Sequence, residues 1–417
     1  MSTLHDSFGS FSRREFLALP AGLAALAGSS QVMAANPAGK SGSAAKADGA
    51  LRVSIGEHRV VTRDAVREPT LFQLRSGELL LTYHVQGDRH FAERRGMRSR
   101  DGGRTWSPEP RRAHREQAMG QGANGAVLAM DIYTFERKPG EYLGTFFRSS
   151  DGGATFTGPH ECVVRMDRVA SRPYPTPEHF PPEDHPLRKF YQPLPDFYHP
   201  VVARSSNRRG PTFWRTLIER DGRWLATMQG HFHADERYRT MLVESFDEGK
   251  TWAFVSTVAF RHAEPGDGFC EPVMRRMPDG SLLCVLRRGG KLPLAQCRSL
   301  DGGRTWSPPE LLHGHGVDPD LCLMANGVLA CTFGRPGLHI MFSLDGCGRE
   351  WSHLTPIGDW RSSTYMGIVE AAPDRLLLVY DRNDTPVGHE PDPAKAHIGS
   401  TTVQVVRLED KTLPRTP

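Results

Sequence analysis

The sequence has little net charge, few cysteines and no long apolar run, and each of these features excludes a class of protein. A formal net charge of +4 over 417 residues provides no basic stripe, so we expect no nucleic-acid partner. The seven cysteines are odd in number and mostly lie in apolar segments, which indicates buried thiols rather than a disulfide framework. We also expect no metal and no cofactor, because the histidine pairs at 231–233 and 313–315 have no evident third ligand.

The first 35 residues have the pattern of an export signal. The segment SRREFL (12–17) precedes a short apolar run at 18–28 and small residues near 32–34, which indicates a twin-arginine signal. The run is too short for a permanent membrane span, and no cysteine follows the small residues, so we expect no stable membrane anchor. We therefore predict a periplasmic or secreted protein with a signal peptide at 1–35 and a flexible linker at 36–50.

A turn sequence of the form S-x-D-x-G-x-T-W recurs along the rest of the chain. Its copies are SRDGGRTW (99–106), SSDGGATF (149–156), SFDEGKTW (245–252), SLDGGRTW (299–306) and, with one inserted residue, SLDGCGREW (343–351). In such a turn, called an Asp box below, the carboxylate accepts backbone N–H bonds, the glycine supplies positive φ and the aromatic residue packs on neighbouring strands. Repetition at a spacing of roughly 45 to 55 residues indicates stacked hairpin units.

Six inner hairpins accompany the Asp boxes. They begin near residues 67, 119, 216, 269, 318 and 365. The pattern predicts an all-β fold, a six-bladed β-propeller with Asp-box turns over 51–410, in which a strand at 401–408 pairs with 51–62 and closes the ring. A Pro-, His- and aromatic-rich insertion at 166–209 breaks the period and forms either a lid or a surface insertion. Residues 411–417 form a C-terminal tail.

Charged residues recur at one register of these hairpins. Glu68, Glu271 and Asp318 each lie nine residues before the turn glycine of their hairpin. Other polar residues at the same end of the units are Arg67, Arg287, Arg335 and Tyr365. Because the tight turns and the Asp boxes lie on one face of such a unit, these residues should gather near the axis on the opposite face. We predict a polar site there.

The Asp boxes and hairpins resemble the sialidase (neuraminidase) superfamily over nearly everything after residue 51. The segment VREP (66–69) stands where sialidases have aromatic-Arg-Ile-Pro, and the hairpin that Glu271 begins ends in an arginine. A late tyrosine precedes a hairpin that ends in Tyr-Asp (380–381). These segments resemble the corresponding sialidase motifs in type and order.

The resemblance implies a retaining exo-sialidase that acts on a glycan with an acidic terminal sugar. Tyr365 would be the nucleophile, Glu271 the base that takes its proton, and Asp88 the acid/base, with Glu93 in reserve. The implied substrate-binding residues are Arg67, Arg287, Arg335, Glu68 and Asp318. The three arginines would hold the sugar carboxylate with bidentate bonds.

Two other functions stay open at this point. Glu68, which replaces the isoleucine of the opening sialidase motif, could act with Glu271 as a carboxylate pair on a non-sialic sugar. Alternatively, the same scaffold could bind glycans without hydrolysing them, because a fold does not determine a function.

Overall fold

A computed structural model describes residues 51–63, 66–85, 93–109, 116–173, 208–289, 292–335, 337–360, 365–382 and 395–408. The predicted signal peptide, the linker, the C-terminal tail and residues 174–207 of the insertion lie outside these ranges. In the described ranges, no helix has the length and apolar character needed to span a membrane.

All regular elements in the described ranges are β-strands. In chain order they are β1 (Leu51–Ile55), β2 (Arg59–Thr62), β3 (Val66–Gln73), β4 (Leu79–Val85), β5 (Glu93–Ser99), β6 (Ser107–Pro108), β7 (Glu116–Gln121), β8 (Val127–Lys138), β9 (Glu141–Ser149), β10 (Thr157–Arg165), β11 (Arg172–Pro173), β12 (Arg208–Arg209), β13 (Thr212–Arg220), β14 (Arg223–Gly230), β15 (Arg239–Ser245), β16 (Thr251–Ala259), β17 (Cys270–Arg276), β18 (Leu282–Arg287), β19 (Pro293–Ser299), β20 (Glu310–His315), β21 (Val317–Leu323), β22 (Leu329–Gly334), β23 (Leu338–Ser343), β24 (Ser352–Gly358), β25 (Met366–Ala372), β26 (Arg375–Arg382) and β27 (His397–Arg407).

Four of the repeat units form separate antiparallel sheets. Three of these sheets have four strands each, in the orders β3-β4-β5-β6, β17-β18-β19-β20 and β21-β22-β23-β24. The fourth has the order β25-β26-β27-β1, with β2 also paired to β27. The predicted pairing between the two ends of the chain is therefore confirmed, with Leu51 opposite Arg407. Strand β27 thus joins the first and last parts of the described chain in one sheet.

The other two units differ from the predicted fold. The prediction of a six-bladed β-propeller is wrong, although the all-β class is right. Strands β7 to β10 and β13 to β16 are joined in a closed barrel of eight strands with mixed pairing, in the order β7-β8-β9-β10-β16-β15-β14-β13. The two joints are parallel: β7 pairs with β13 and β10 pairs with β16. The spacing of turns counts hairpin units along the chain, but it carries no information about hydrogen bonding between units. Closure pairs the strand edges that separate sheets would leave open.

The two ends of the insertion are held against this barrel. Strand β11 pairs with β12, and Arg209 of β12 lies opposite Phe135 of β8. The guanidinium Nη2 of Arg208 donates to the backbone oxygen of Ser171 at 2.7 Å. The insertion therefore leaves and rejoins the barrel at one place.

Four of the five Asp boxes share one hydrogen-bond pattern, and in the fifth, which has no threonine, Asp345 Oδ1 accepts from the backbone N–H groups of Cys347 and Gly348 instead. In the first, Asp101 Oδ1 accepts from the backbone N–H of Thr105 at 2.9 Å, and Oδ2 accepts from its hydroxyl at 2.6 Å. The hydroxyl of Ser99 donates to Asp101 and accepts from the backbone of Gly103. These bonds satisfy the turn locally, so the boxes are structural.

The core lies between neighbouring units. Trp306 of one Asp box donates its indole N–H to Ser256 of the preceding unit at 3.1 Å, and Trp252 stacks edge-on against Phe213 in the barrel. All seven cysteines are buried free thiols, as the sequence predicts. The tryptophans and thiols thus belong to the packing.

The first strands of successive units lie side by side. Strand β13 packs against β17, β17 against β21, β21 against β25 and β25 against β3. This arrangement brings the starts of these strands together at one end of the molecule, where the predicted polar residues are found.

The Asp boxes should make the protein sensitive to acid. Hydrogen bonds from Thr105 lower the pKa of Asp101 from 3.8 to about 2. A depressed carboxyl pKa contributes stability above its unfolded value that is lost as pH falls through the folded value. We expect Asp101→Asn to lower the free energy of unfolding at neutral pH, and its difference from the wild type to shrink between about pH 4 and pH 2.

Urea unfolding across this pH range measures the effect. Asp221→Asn, which alters an exposed carboxylate in a turn outside the Asp boxes, is the control. A difference between wild type and Asp101→Asn that stays constant with pH would contradict the assignment.

Candidate functional site

Four first strands carry a β-bulge at the same place. The pairing of β3, β13, β17 and β21 with their second strands shifts register there. The bulge residues have positive φ, and they are Glu68 at 54°, Arg215 at 58°, Glu271 at 44° and Asp318 at 48°. This conformation is rare for non-glycine residues, and a bulge re-aims the side chain. All four side chains are charged and buried.

Tyr365 and Glu271 form the centre of the site. The phenolic hydroxyl of Tyr365 donates to Glu271 Oε1 at 2.8 Å, and the two residues are 4% and 5% exposed. The backbone N–H of Tyr365 donates to Asp381 Oδ1 at 3.2 Å. The backbone of the tyrosine is thus held by the sheet that contains β25 and β26, while its hydroxyl reaches a carboxylate of another sheet.

Two of the three predicted arginines flank this pair. Arg287 donates from Nη1 to Glu271 Oε1 at 2.5 Å and from Nη2 to Asp267 Oδ2 at 2.7 Å. The guanidinium of Arg335 lies 5.9 Å from the ring centroid of Tyr365. The structure therefore brings Tyr365, Glu271, Arg287 and Arg335 together from four different strands or strand ends.

Three other predicted residues cannot be placed in this way. The backbone of Arg67 lies in β3 opposite His84, but its side chain is outside the described part of the structure. Asp88 lies outside the described residues altogether, and so does the side chain of its reserve, Glu93. Their roles stay predictions.

Burial and charge act together on the phenol. Burial raises the pKa of Tyr365 well above its ordinary value, and the carboxylates of Glu271 and Glu68 raise it further, while Arg287 and Arg335 oppose them. The neutral phenol is the stable form near pH 7. For its oxygen to act as a nucleophile, the proton has to pass to a base, and Glu271 is at hydrogen-bond distance.

Asp318 is enclosed by protein groups. It is 1% exposed, and its Oδ1 accepts from Arg215 Nε at 3.1 Å and from the indole of Trp214 at 3.2 Å. Its Oδ2 accepts from Arg215 Nη2. The carboxylate therefore faces Arg215, while the backbone N–H of Asp318 donates to Glu271 Oε2 at 2.8 Å.

Arg215 was missed by the sequence analysis for a specific reason. In β17–β18 the last paired residues, Arg276 and Leu282, are separated by five residues. With a turn of this length, the bulge residue Glu271 lies nine residues before the turn glycine, so counting back from the glycine finds it. In β13–β14 only two residues separate the paired Arg220 and Arg223, so the same bulge falls seven residues before Gly222. Counting from the last strand pair instead of the glycine would have found Arg215.

With this geometry established, the chain can be compared with known proteins. Residues 132–366, more than half of the chain, match the BNR repeat-like domain family. The chain belongs to this family. The predicted resemblance to the sialidase superfamily is thereby confirmed in its BNR repeats, which are the Asp boxes above. No curated protein matches the chain in sequence.

Solved structures similar to this BNR repeat-like chain are distant in sequence. A protein of unknown function from Dyadobacter fermentans has a TM-score of 0.62 and 19% identity, covering 85% of this chain and 99% of that one. A Hadza microbial sialidase has a TM-score of 0.54 and 18% identity, and the match covers 82% of this chain and 66% of that one. An α-L-arabinanase of Penicillium chrysogenum, complexed with arabinobiose, has a TM-score of 0.55 and 14% identity. The match covers 84% of this chain and 98% of that one. At these identities the likeness is one of fold.

The environment of Tyr365 can be tested by titration. Because a carboxylate nearby disfavours a phenolate, Glu68→Gln should lower the pKa of Tyr365. The tyrosinate absorbance is compared between wild type and Tyr365→Phe, and again between Glu68→Gln and Glu68→Gln/Tyr365→Phe. We expect the second pair to diverge at a lower pH than the first. Divergence of the first pair near about pH 10, where ordinary tyrosines ionise, would contradict the buried environment.

Proposed function

We propose that the protein is a retaining glycoside hydrolase that uses Tyr365 as nucleophile and Glu271 as its base, and that it releases a terminal acidic sugar of the sialic acid type. The observation that carries this proposal is the 2.8 Å hydrogen bond from the phenol to Glu271 Oε1 in a buried site. The similarity in fold to a sialidase and an arabinanase agrees with hydrolysis of a glycoside.

A tyrosine suits a substrate that carries its own negative charge. In sialic acid a carboxylate adjoins the anomeric carbon, and a carboxylate nucleophile would be repelled there, whereas a neutral phenol is not. Arg335 and Arg67 would hold the substrate carboxylate. Arg287 would contribute its positive charge, because both of its terminal nitrogens already bind Glu271 and Asp267.

The first step would form a covalent intermediate. Glu271 takes the phenolic proton as the oxygen of Tyr365 attacks the anomeric carbon, and the bond to the leaving oxygen breaks. Asp88 would protonate the leaving oxygen.

The second step would reverse these proton transfers. Asp88 takes a proton from water, the water oxygen attacks the anomeric carbon, and the bond to Tyr365 breaks. Glu271 then returns the proton to the phenolate. Two displacements at one carbon retain its configuration.

Substitution of the pair tests the proposed chemistry. Glu271→Gln removes the base and should lower kcat/KM for an aryl sialoside by about 100-fold to 10,000-fold. Tyr365→Phe removes the nucleophile and should lower it at least as much. Initial rates of aryl release, with NMR of the first sugar anomer formed, give the rate and the stereochemical outcome.

Matched controls separate these effects from general damage. Tyr142→Phe removes another buried phenol, which donates to Val169 in the barrel, and Glu244→Gln removes a carboxylate paired with Arg223. Both should keep full activity. Full activity in Tyr365→Phe, or release of the inverted anomer, would contradict the mechanism.

A second candidate function rests on Glu68. This carboxylate is 8% exposed and its charge acts on Tyr365, so it opposes the approach of a second anion. We infer that a neutral sugar such as an arabinofuranoside is the alternative substrate, with Glu68 and Glu271 as a pair of catalytic carboxylates.

Glu68→Gln distinguishes the two substrates. If the substrate is acidic, loss of a like charge should lower KM for an aryl sialoside by roughly tenfold or more. If Glu68 is catalytic, the same change should lower kcat/KM for an aryl α-L-arabinofuranoside by about 100-fold to 10,000-fold. Glu57→Gln, an exposed carboxylate, is the control. Binding of either glycoside without turnover by the wild type would exclude both hydrolases in favour of a glycan-binding protein.

A further inference from the structure

The guanidinium of Arg215 lies among the carboxylates behind the Tyr365–Glu271 pair. Arg215 is 5% exposed and makes a two-point ion pair with Asp318. Its Nη1 lies 3.7 Å from Asp320 Oδ2, and its Nη2 also donates to the backbone oxygen of Met366 at 2.7 Å. Arg215 therefore connects β13 with β21 and β25 directly beneath the site.

Asp318 links this guanidinium to the proposed catalytic base. Its side chain binds Arg215, while its backbone N–H donates to Glu271 Oε2 at 2.8 Å. The other oxygen of Glu271 accepts from Tyr365 and Arg287. A shift of Asp318 would therefore move one of the groups that orient Glu271.

Three buried carboxylates in this cluster face two guanidinium groups, Arg215 and Arg287. The carboxylates of Glu271, Asp318 and Asp320 are all at least nine-tenths buried. Burial and the charge of Glu271 raise the pKa of Asp318, and Arg215 opposes them. Without a counter-ion, neighbouring buried carboxylates do not all stay ionised, because like charges in a low-dielectric site raise each other's pKa.

We propose that Arg215 and Asp318 are positioning residues, in which the buried Arg215 guanidinium neutralises Asp318 and so keeps Glu271 ionised and oriented toward Tyr365. Asp318 is then part of the support of the site and not a ligand for the sugar. The proposal rests on the proposed role of Glu271 as base, but its charge balance can be measured without any substrate.

Among the described residues, the charged or titratable groups that face this cluster come from first strands and from other elements. Those of the first strands are Arg215, Cys270, Glu271, Asp318 and Asp320, and those of other elements are Arg287, Asp267 and Tyr365. Glu68 and Arg335 also act on Tyr365. Arg287 is already bound to Glu271 and Asp267. Arg215 is thus the cation that faces Asp318.

The first test measures stability against pH. A carboxyl whose folded pKa is raised binds its proton longer in the folded than in the unfolded state, so stability falls as pH rises between the two values. In the wild type this fall should run from about 4 to about 7 for Asp318. Asp318→Asn should remove this fall in stability, and Arg215→Met should extend it above neutral pH. The unfolding constant should change by up to about tenfold per pH unit.

Urea unfolding of the wild type, both single variants and the double variant provides this measurement. Arg98→Met is the matched control, since Arg98 is also a buried guanidinium between two carboxylates, Glu78 and Glu109, but belongs to another unit. Arg98→Met should lower the free energy of unfolding without extending the pH range over which stability falls. Equal pH slopes in wild type, Asp318→Asn and Arg215→Met would overturn the proposal, whether or not the protein is a hydrolase.

The second test measures the pH profile of kcat/KM. Loss of the cation in Arg215→Met should move the acidic limb to higher pH. Arg215→Lys, which keeps the cation, should restore most of the wild-type position. Asp318→Asn should move the limb little, because the raised pKa of Asp318 leaves its carboxyl largely protonated below about 7. Damage to the fold alone would lower the rate equally at every pH, and that result would overturn the proposal. If Arg215→Met does not fold, the first test still decides, through the loss in Asp318→Asn of the fall in stability with rising pH.

Discussion

A residue with left-handed backbone conformation in the first strand of four units places the buried charges of the candidate site. Each such non-glycine residue costs of order 1–3 kcal/mol, and here it is a charged residue in every case. Ion pairs and backbone hydrogen bonds made at the bulges, such as the bond from the N–H of Asp318 to Glu271, oppose this cost. In a regular strand without the bulge, the side chain would project from one of the two faces of its own sheet.

The side chains of the site come from several different sheets. Glu271 comes from β17, Asp318 from β21 and Arg215 from β13, while Tyr365 stands at the start of β25. Because each side chain is bound by a residue from another sheet, the packing of first strands against one another and the charge balance of the site depend on each other. A buried carboxylate here is both a support of the fold and a candidate for chemistry.

Much of this arrangement can be read from the sequence, and what is missed has physical reasons. The Asp boxes predict the turns, and the register of Glu271, Asp318 and Tyr365 places them at one end of their units. The joining of two units into one closed barrel was not predictable, because β7–β13 and β10–β16 are backbone pairings that leave no pattern of side chains. Arg215 escaped because its hairpin has a shorter turn. The partnership of Arg215 with Asp318 depends on a contact between residues 103 positions apart.

The most direct measurement is covalent trapping. A fluorinated sialosyl fluoride, which forms a glycosyl-enzyme readily but releases it slowly, is incubated with the protein, and the digested peptides are examined by mass spectrometry. The account predicts the mass of one fluorinated sugar on Tyr365 and its absence from Tyr365→Phe. A sugar attached to Glu271 or Glu68, or turnover to the inverted product with no attached sugar, would contradict it.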